Sequence, residues 1–211
     1  MIYVISGMSA SGKDTLVDMA VKIANGELKK IPMVTTRPKR PNEKIGHEYS
    51  FITKDEMWEG GKERKYAALK GYKVSSGDVW YYAIDISDVK VTDSINNDYI
   101  VITDMDGIRD LQLIFGSGNV CGVFLEANDE VRHQRALLRW GNPFTFDEKE
   151  FAERTKRDRS EYYENPNLFN NTIRYWLDGN GTAANTCQLF MQLFYYLRRG
   201  GAFNDSYNPR K

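Results

Sequence analysis

The sequence is poor in the residues that hold disulfide scaffolds and metal sites. Only two of its 211 residues are cysteines, and only two are histidines. Cys121 and Cys187 lie far apart and lack the close spacing of zinc ligands, so the sequence predicts neither a disulfide framework nor a structural zinc site. We expect both thiols to be buried, apolar side chains in a protein of a reducing compartment.

The sequence also lacks a long apolar segment and an excess of charge. Its longest apolar run, "LFMQLFYYL", is far shorter than the ~20 residues that a membrane-spanning helix needs, and the opening "MIYVISG" does not resemble a secretion signal. The 29 basic and 29 acidic residues give a formal net charge of zero. We therefore expect a soluble, cytoplasmic protein that binds neither nucleic acid nor a membrane surface. The sequence gives no prediction of the oligomeric state.

Predicted strands alternate with predicted helices along most of the chain. Hydrophobic patterning predicts buried strands at residues 2–5, 99–103, 119–125 and 172–176, and helices at residues 13–25, 128–140, 147–163 and 182–199. The spacing Thr53-x-x-Glu56 indicates a capping box, as does Thr145-x-x-Glu148. Such alternation is typical of an α/β domain in which helices flank a parallel sheet core.

Residues 33–90 interrupt this alternation, because prolines occur early in the segment and tyrosine, valine and glycine are frequent later in it. We expect one domain over residues 1–200, with its core in 1–32 and 91–200. A small mixed β lobe is expected as an insertion at about 33–90, and a lid at about 140–153. Residues 201–211 contain few apolar side chains and are expected to form a tail.

The stretch "ISGMSASGKDT", residues 5–15, has the spacing of a phosphate-binding loop. Gly7 and Gly12 give the backbone the conformations with which its N–H groups can point at phosphate oxygens, and Lys13 supplies positive charge. The loop lies between a predicted strand and a predicted helix, which is the context that the motif requires. We predict that it binds ATP through the following residues: Gly7, Ser9, Ala10, Ser11, Gly12, Lys13, Asp14 and Thr15.

Asp14 stands where a serine or threonine usually helps to hold Mg²⁺. A carboxylate can also serve this ion, directly or through water, although it repels the phosphates unless the metal lies between them. The alternative is that Asp14 only places a favourable negative charge at the start of a helix.

A second group of residues lies in "VTTRPKRPNEKIGHEYSF", residues 34–51. Arg37 and Arg40 are three residues apart in a segment braced by prolines, so their guanidinium groups can grip one phosphate. Tyr49 can add a hydrogen bond from its hydroxyl group. A solvated basic loop is the alternative interpretation of this segment.

With these residues in place, the chain resembles the guanylate kinase family. Thr35, Thr36, Arg37, Arg40, Glu43, Gly46, Tyr49 and Phe51 match the family pattern T-T-R-x-x-R-x-x-E-x-x-G-x-x-Y-x-F without a gap. Tyr81 and Tyr82 resemble the family's Y-Y-G motif, and Asp104 follows a predicted strand as it does in the family. The resemblance covers about residues 1–165.

The resemblance implies a P-loop nucleoside monophosphate kinase fold and the transfer of a phosphoryl group from ATP to a nucleoside monophosphate, usually GMP, with Mg²⁺. It also implies a role for each candidate residue. The acceptor phosphate would be bound by Arg37, Arg40, Tyr49 and Tyr82. Lys13, Arg135, Arg139 and Arg154 would stabilise the charge on the transferred group. The metal would be held by Asp14 and Asp104.

Three positions depart from the family's pattern of guanine recognition. Met33 replaces a serine, no glutamate precedes the tyrosine pair, and Ala83 and Ile84 follow it without a hydroxyl group. Lys70, Tyr72, Ser75 and Ser76 are nearby groups that could take over this role. We expect GMP or dGMP as the acceptor. Three alternatives stay open: another monophosphate, a phosphorylated sugar such as a ribose bisphosphate, or a guanylate-kinase-like protein-binding module without catalysis.

Overall fold

Two β-sheets organise the chain in a computed structural model, which describes residues 1–39, 49–73, 77–91, 98–141, 144 and 146–201. The strands are β1 Ile2–Ser6, β2 Leu28–Lys30, β3 Met33–Thr35, β4 Ser50–Phe51, β5 Tyr66–Lys73, β6 Val79–Asp85, β7 Asp98–Ile102, β8 Val120–Glu126 and β9 Ile173–Asp178. The helices are α1 Lys13–Ala24, α2 Lys54–Lys62, α3 Met105–Phe115, α4 Asp129–Trp140, α5 Glu148–Tyr163, α6 Pro166–Thr172 and α7 Ala183–Arg198.

The larger sheet has the strand order β2-β7-β1-β8-β9, and every neighbouring pair is parallel. Both of its faces are covered. Leu16 of α1 and Phe190 of α7 pack on one face, whereas Ile108 of α3 and Phe169 of α6 pack on the other. Because both faces are buried, the central strands β1, β7 and β8 are mostly apolar, whereas the edge strands β2 and β9 also carry exposed charged residues. The predicted α/β fold with a parallel sheet core is confirmed.

The smaller sheet has the order β4-β3-β6-β5 and lies within the segment 33–90. Strand β3 runs parallel to β4 and antiparallel to β6, which is also antiparallel to β5, so the sheet is mixed. Strand β5 has an irregularity between Ala67 and Lys70, where Ala68 takes a positive φ of 53°. The segment that interrupts the alternation therefore forms a sheet of its own.

Side-chain caps mark the start of most helices. The predicted capping box is present, since the Thr53 hydroxyl accepts from the Glu56 N–H and the Glu56 side chain accepts from the Thr53 N–H. Helix α5 differs from the prediction, because its cap is Asp147, which accepts from the Glu150 N–H. Thr145, the predicted cap, lies outside the described residues.

Helices α3 and α6 were not predicted. Asp104 caps α3 by accepting from the Gly107 N–H at 2.9 Å, and Pro166 occupies the first turn of α6. Helix α6 has only seven residues, too few to show a clear helical periodicity. Within the described part of the chain, no helix has the length and apolar character needed to cross a bilayer.

Candidate active site

The predicted phosphate loop connects β1 to α1 at the carboxyl end of the parallel sheet. Gly7 has φ +147°, and a Cβ atom there would lie 2.5 Å from the Leu125 carbonyl oxygen of β8. Gly12 caps α1 with φ +103°, in the left-handed region. A side chain would clash with β8 at Gly7 and would strain the backbone at Gly12, where φ is positive. The two glycines therefore let the loop pass close to the sheet and lead into α1.

Lys13 lies across the loop that precedes it. Its ammonium group donates hydrogen bonds to the carbonyl oxygens of Gly7, at 2.7 Å, and Met8, at 3.0 Å. Burial lowers the pKa of Lys13, although the carboxylates of Asp14, Asp158 and Glu161 oppose this shift. The lysine is therefore held at the centre of the loop, among acidic groups.

Helix α4 supports the loop from outside through two arginines. The Arg132 guanidinium, which is fully buried, donates to the Ser9 carbonyl oxygen at 3.0 Å. Arg135 donates to the Ser11 carbonyl oxygen at 2.7 Å and also to those of Gly179, at 2.7 Å, and Gly181, at 3.0 Å. These bonds fix the carbonyl side of the loop. The catalytic role predicted for Arg135 stays a prediction.

Helix α5 contacts the same loop at two points one helical turn apart. The Asp158 carboxylate accepts a hydrogen bond from the Ser9 N–H. The Tyr162 hydroxyl lies 3.0 Å from the Ser6 hydroxyl and donates to the Gly7 carbonyl oxygen at 3.4 Å. The sequence analysis missed these residues and Arg132. The only hint of the α5 contacts in the sequence is that Asp158 and Tyr162 are four residues apart and therefore lie on one face of the helix.

Three residues predicted to bind the acceptor phosphate come together on the smaller sheet. The Arg37 side chain is buried, and its guanidinium carbon lies 5.3 Å from the Tyr49 ring centroid and 5.1 Å from that of Phe51. The Tyr49 and Tyr82 rings pack edge to face, with centroids 5.7 Å apart. Arg40 lies outside the described residues, so its predicted position beside Arg37 stays a prediction.

Electrostatic effects connect this aromatic cluster to the phosphate loop. The Tyr72 ring packs edge to face on Tyr82, with centroids 5.6 Å apart. Burial, and then the carboxylates of Asp104 and Glu161, raise the pKa of Tyr72. The Glu161 carboxylate also acts to raise the pKa of Lys13. The Glu161 carboxylate thus lies within electrostatic reach of both the loop lysine and the tyrosines, and we call the region between these two groups the cleft.

Lys70 and Asp104 form an ion pair that joins β5 to the start of α3. Lys70 also pairs with Asp106 at 3.2 Å. Burial lowers the pKa of Lys70, but the two carboxylates outweigh it and raise the pKa above its ordinary value. Both Asp104 oxygens are engaged, one by Lys70 and the other by the Gly107 N–H.

The other predicted site residues are exposed. Asp14 and Thr15 lie on the first turn of α1, and Arg139 lies near the end of α4. Arg139 is close enough to Lys13 to contribute to lowering its pKa. Arg154 on α5 forms an ion pair with Glu150. Among the residues that the structure describes, no group of three or more His, Cys, Asp or Glu side chains could hold a metal ion.

The positions that depart from the family pattern are apolar for a structural reason. Ala83 and Ile84 are buried on β6, each with 1% of its surface exposed, and Ile84 belongs to the core beneath the larger sheet. Met33 is paired with Ile84 across the β3–β6 ladder. A hydroxyl group at residues 83 or 84 would be buried among apolar side chains, which is costly without a partner.

Comparisons with known proteins agree with this geometry. The sequence profile described as guanylate kinase matches residues 1–174. The chain is 30% identical to a guanylate kinase of Schizosaccharomyces pombe over 172 residues, which are 81% of this chain and 80% of that protein. It is 31% identical to a guanylate kinase of Rhodopseudomonas palustris over 128 residues, covering 59% and 54% of the two chains.

A solved structure shows the same fold at lower identity. The guanylate kinase of Anaplasma phagocytophilum superposes with a TM-score of 0.62 at 16% identity, covering 94% of this chain and 86% of that one. A parallel sheet with a G-x-x-x-x-G-K loop between β1 and α1 is the arrangement of P-loop nucleotide-binding proteins. The chain belongs to the guanylate kinase family and is a nucleoside monophosphate kinase.

Proposed function

We propose that this chain transfers the γ-phosphoryl group of ATP to the phosphate of GMP or dGMP. An oxygen of the acceptor phosphate forms the new bond to phosphorus, the bond to the ADP leaving group breaks, and a guanine nucleoside diphosphate results. The observation that carries the proposal is the grouping of Arg37, Tyr49 and Tyr82 on the smaller sheet. The Glu161 carboxylate, which acts electrostatically on both Lys13 and the neighbouring Tyr72, relates this group to the phosphate loop.

The phosphate loop supplies the ATP site in this proposal. Its backbone N–H groups and the start of α1 attract the phosphates, and the Lys13 ammonium group moves from the carbonyl oxygens of Gly7 and Met8 to the phosphates. Arg132 and Arg135 keep the opposite side of the loop fixed. A loop held in this way stabilises the transferred group without having to reorganise.

Mg²⁺ fits the start of α1, where Asp14 presents an exposed carboxylate and Thr15 an exposed hydroxyl group. Oxygen ligands of this kind suit Mg²⁺, which also keeps several water molecules and binds the substrate's phosphates. When bound, the ion neutralises charge on the β- and γ-phosphates. Asp14 is the residue to which we assign it. A role for Asp104 would require its carboxylate to leave Lys70.

The acceptor phosphate would bind to the Arg37 guanidinium and the tyrosine hydroxyls of the aromatic cluster. Arg37 is rigid, because its side chain is buried between two rings and donates to the Pro38 carbonyl oxygen at 3.0 Å. A guanidinium fixed in this way can bind two phosphate oxygens at once. Arg40 would supply a second guanidinium group to the same phosphate.

The proposal also assigns a role to each segment of the chain. Residues 33–90 act as the acceptor-binding lobe, and residues of about 140–153 act as a lid on the core formed by 1–32 and 91–200. Closure of the lobe and lid would exclude water and bring Arg139 and Arg154 towards the transferred group. Exposed arginines at the two ends of the lid suit this role.

The test is a side-by-side assay of ATP- and Mg²⁺-dependent phosphorylation of GMP, dGMP, AMP, CMP, UMP and dTMP, with Lys13→Ala as the control. Turnover of GMP or dGMP at ~1–100 s⁻¹ is expected for a kinase of this type. If only AMP, CMP, UMP or dTMP were phosphorylated, that nucleotide and not GMP or dGMP would be the acceptor. ATP binding without turnover of any of the six would favour a phosphorylated sugar, and absence of ATP binding would favour a protein-binding module.

A further inference from the structure

Lys70 occupies a position from which it can contact the acceptor. In the β5–β6 ladder, Lys70 is directly opposite Tyr82, so the two side chains stand on the same face of the sheet. Tyr72, two residues further along β5, shares this face and packs on the Tyr82 ring. The face that carries the tyrosines proposed to bind the acceptor phosphate therefore also carries one ammonium group.

The partners of this ammonium group lie at the start of α3, which packs against β5. Lys70 reaches Asp104 and Asp106 at the start of α3, where 31% of the lysine side chain and 17% of the Asp104 side chain are exposed. The pair is thus only partly shielded and can be approached from the cleft. It places a hydrogen-bond donor and an acceptor side by side, next to the tyrosine cluster.

A nucleobase needs such a pair. The ring of a bound monophosphate must lie beyond its own phosphate, and its polar edge costs binding energy if it is buried without partners. Ala83 and Ile84 are buried in apolar surroundings and cannot supply partners. Guanine presents a carbonyl oxygen and, beside it, ring and amino N–H groups. An ammonium next to a carboxylate is complementary to that edge.

We propose that Lys70 is a specificity-determining residue that donates to the carbonyl oxygen of the acceptor base and holds Asp104 in place to accept from the adjacent N–H groups. This inference rests on the proposed function, since it concerns the same acceptor site. It extends that proposal by assigning base recognition to a lysine–aspartate pair that bridges the smaller sheet and α3.

Binding measurements on the full chain test the inference. The ligands are GMP and ribose 5-phosphate, which carries a phosphate but no base, titrated calorimetrically into the wild-type chain and Lys70→Met. Loss of a charged hydrogen-bond donor should weaken GMP binding by about tenfold or more. Ribose 5-phosphate binding should stay within about twofold of wild type, because its phosphate contacts are unaffected.

Two further variants serve as controls. Lys73→Met removes an exposed lysine from the same strand, three residues along and therefore on the opposite face, and should leave both affinities unchanged. Lys70→Arg keeps a donor and should retain much of the GMP affinity. Thermal melting checks that each variant is folded, and Lys70→Leu, which also lacks a donor, replaces Lys70→Met if the latter does not fold.

The outcomes separate this inference from the proposed function. If Lys70→Met weakened the binding of GMP and of ribose 5-phosphate equally, the lysine would be a general electrostatic contact. If it changed neither affinity, Lys70 would not contact the acceptor. Either result overturns the inference. If the wild-type chain bound ribose 5-phosphate as tightly as GMP, the base would contribute nothing to binding and the inference would also be overturned. The acceptor-phosphate site of the proposed function would still stand. If the wild-type chain bound neither ligand, the proposed function itself would fail.

Discussion

Asp158 accepts a hydrogen bond from the backbone N–H of Ser9, so a carboxylate of α5 lies on the phosphate loop. This N–H group belongs to the loop that is proposed to bind the phosphates of ATP. A negatively charged side chain therefore lies where an anionic ligand is expected. Tyr162, one turn further along the helix, holds α5 against the same loop.

Neutralising Asp158 should strengthen ATP binding. Asp158→Asn keeps the shape and the acceptor oxygen of the side chain but removes the charge that opposes the incoming phosphates. We expect the Kd for ATP to fall by about three- to tenfold, as is reasonable for one partly screened like-charge contact. Fluorescence titration with a labelled ATP analogue, without acceptor, measures the effect.

Glu153→Gln is the matched control for this change, since Glu153 is an exposed carboxylate on the same helix. It should leave the Kd for ATP unchanged. Weaker ATP binding in Asp158→Asn would contradict the expectation, and would mean that the carboxylate helps to bind ATP or its metal ion.

Arg139 and Arg135 should respond differently to substitution, although both come from α4. Arg139 is exposed near Lys13, so its proposed contact with the transferred group forms only when the lid closes. Arg139→Ala should lower kcat by about tenfold or more and change either KM by less than about threefold. Steady-state kinetics with both substrates measure this, and Arg109→Ala on α3 is an exposed control.

Arg135→Ala should instead loosen the phosphate loop. Its guanidinium group donates to three backbone carbonyl oxygens, which would lose their partner. We expect the free energy of unfolding to fall by about 1–2 kcal/mol and the KM for ATP to rise. Urea unfolding and kinetics test both effects. An unchanged stability combined with a loss of kcat alone would assign Arg135 a direct catalytic role.

The sequence predicted the parts of the site that depend on local backbone requirements or on a continuous motif. The phosphate loop was predicted because Gly7 and Gly12 adopt conformations that other residues avoid. Arg37 and Tyr49 were predicted because they match a gapless pattern. The parallel sheet followed from alternating buried strands and helices, which depend on hydrophobic periodicity alone.

The remaining contacts could not be predicted because they join residues that are distant in the sequence. Ser9 and Asp158 are 149 residues apart, and Lys70 is 34 residues from Asp104. No local pattern specifies such pairs, since they depend on how α3 and α5 pack on the two sheets. Helix α3 is a different case, because Met105, Ile108 and Leu111 are buried at helical spacing and the sequence therefore carries the signal of this helix.

Substitution of Arg37 by lysine should selectively weaken acceptor binding. Arg37 is buried against two aromatic rings, and its planar guanidinium can bind two phosphate oxygens, which an ammonium group cannot do. Arg37→Lys should raise the KM for the acceptor about tenfold while the KM for ATP stays within about twofold. Lys39→Met, at a neighbouring exposed lysine, is the control. Equal increases in both KM values would contradict the assigned role.

Glu161 should make the stability of the folded chain depend on pH near neutrality. Loss of hydration, and then the nearby Asp104 carboxylate, raise the pKa of Glu161 to about 7. The unfolded chain has an ordinary glutamate pKa of about 4.3, so between these values the folded state binds more protons than the unfolded state. Stability must then fall as the pH rises through this interval, and the loss is complete above the folded-state pKa.

Glu161→Gln removes this titration and keeps an uncharged side chain of similar size. Its free energy of unfolding, relative to wild type, should increase as the pH rises from about 5 to 8, and should be constant above that range. Urea unfolding of both proteins at unit pH intervals measures the difference, and Glu164→Gln, beyond the end of α5, is the control. A difference that did not vary with pH would show that Glu161 titrates in its ordinary range. In that case the carboxylate would be charged at neutral pH, and the cleft between Lys13 and Tyr72 would carry one more negative charge for the incoming phosphates to overcome.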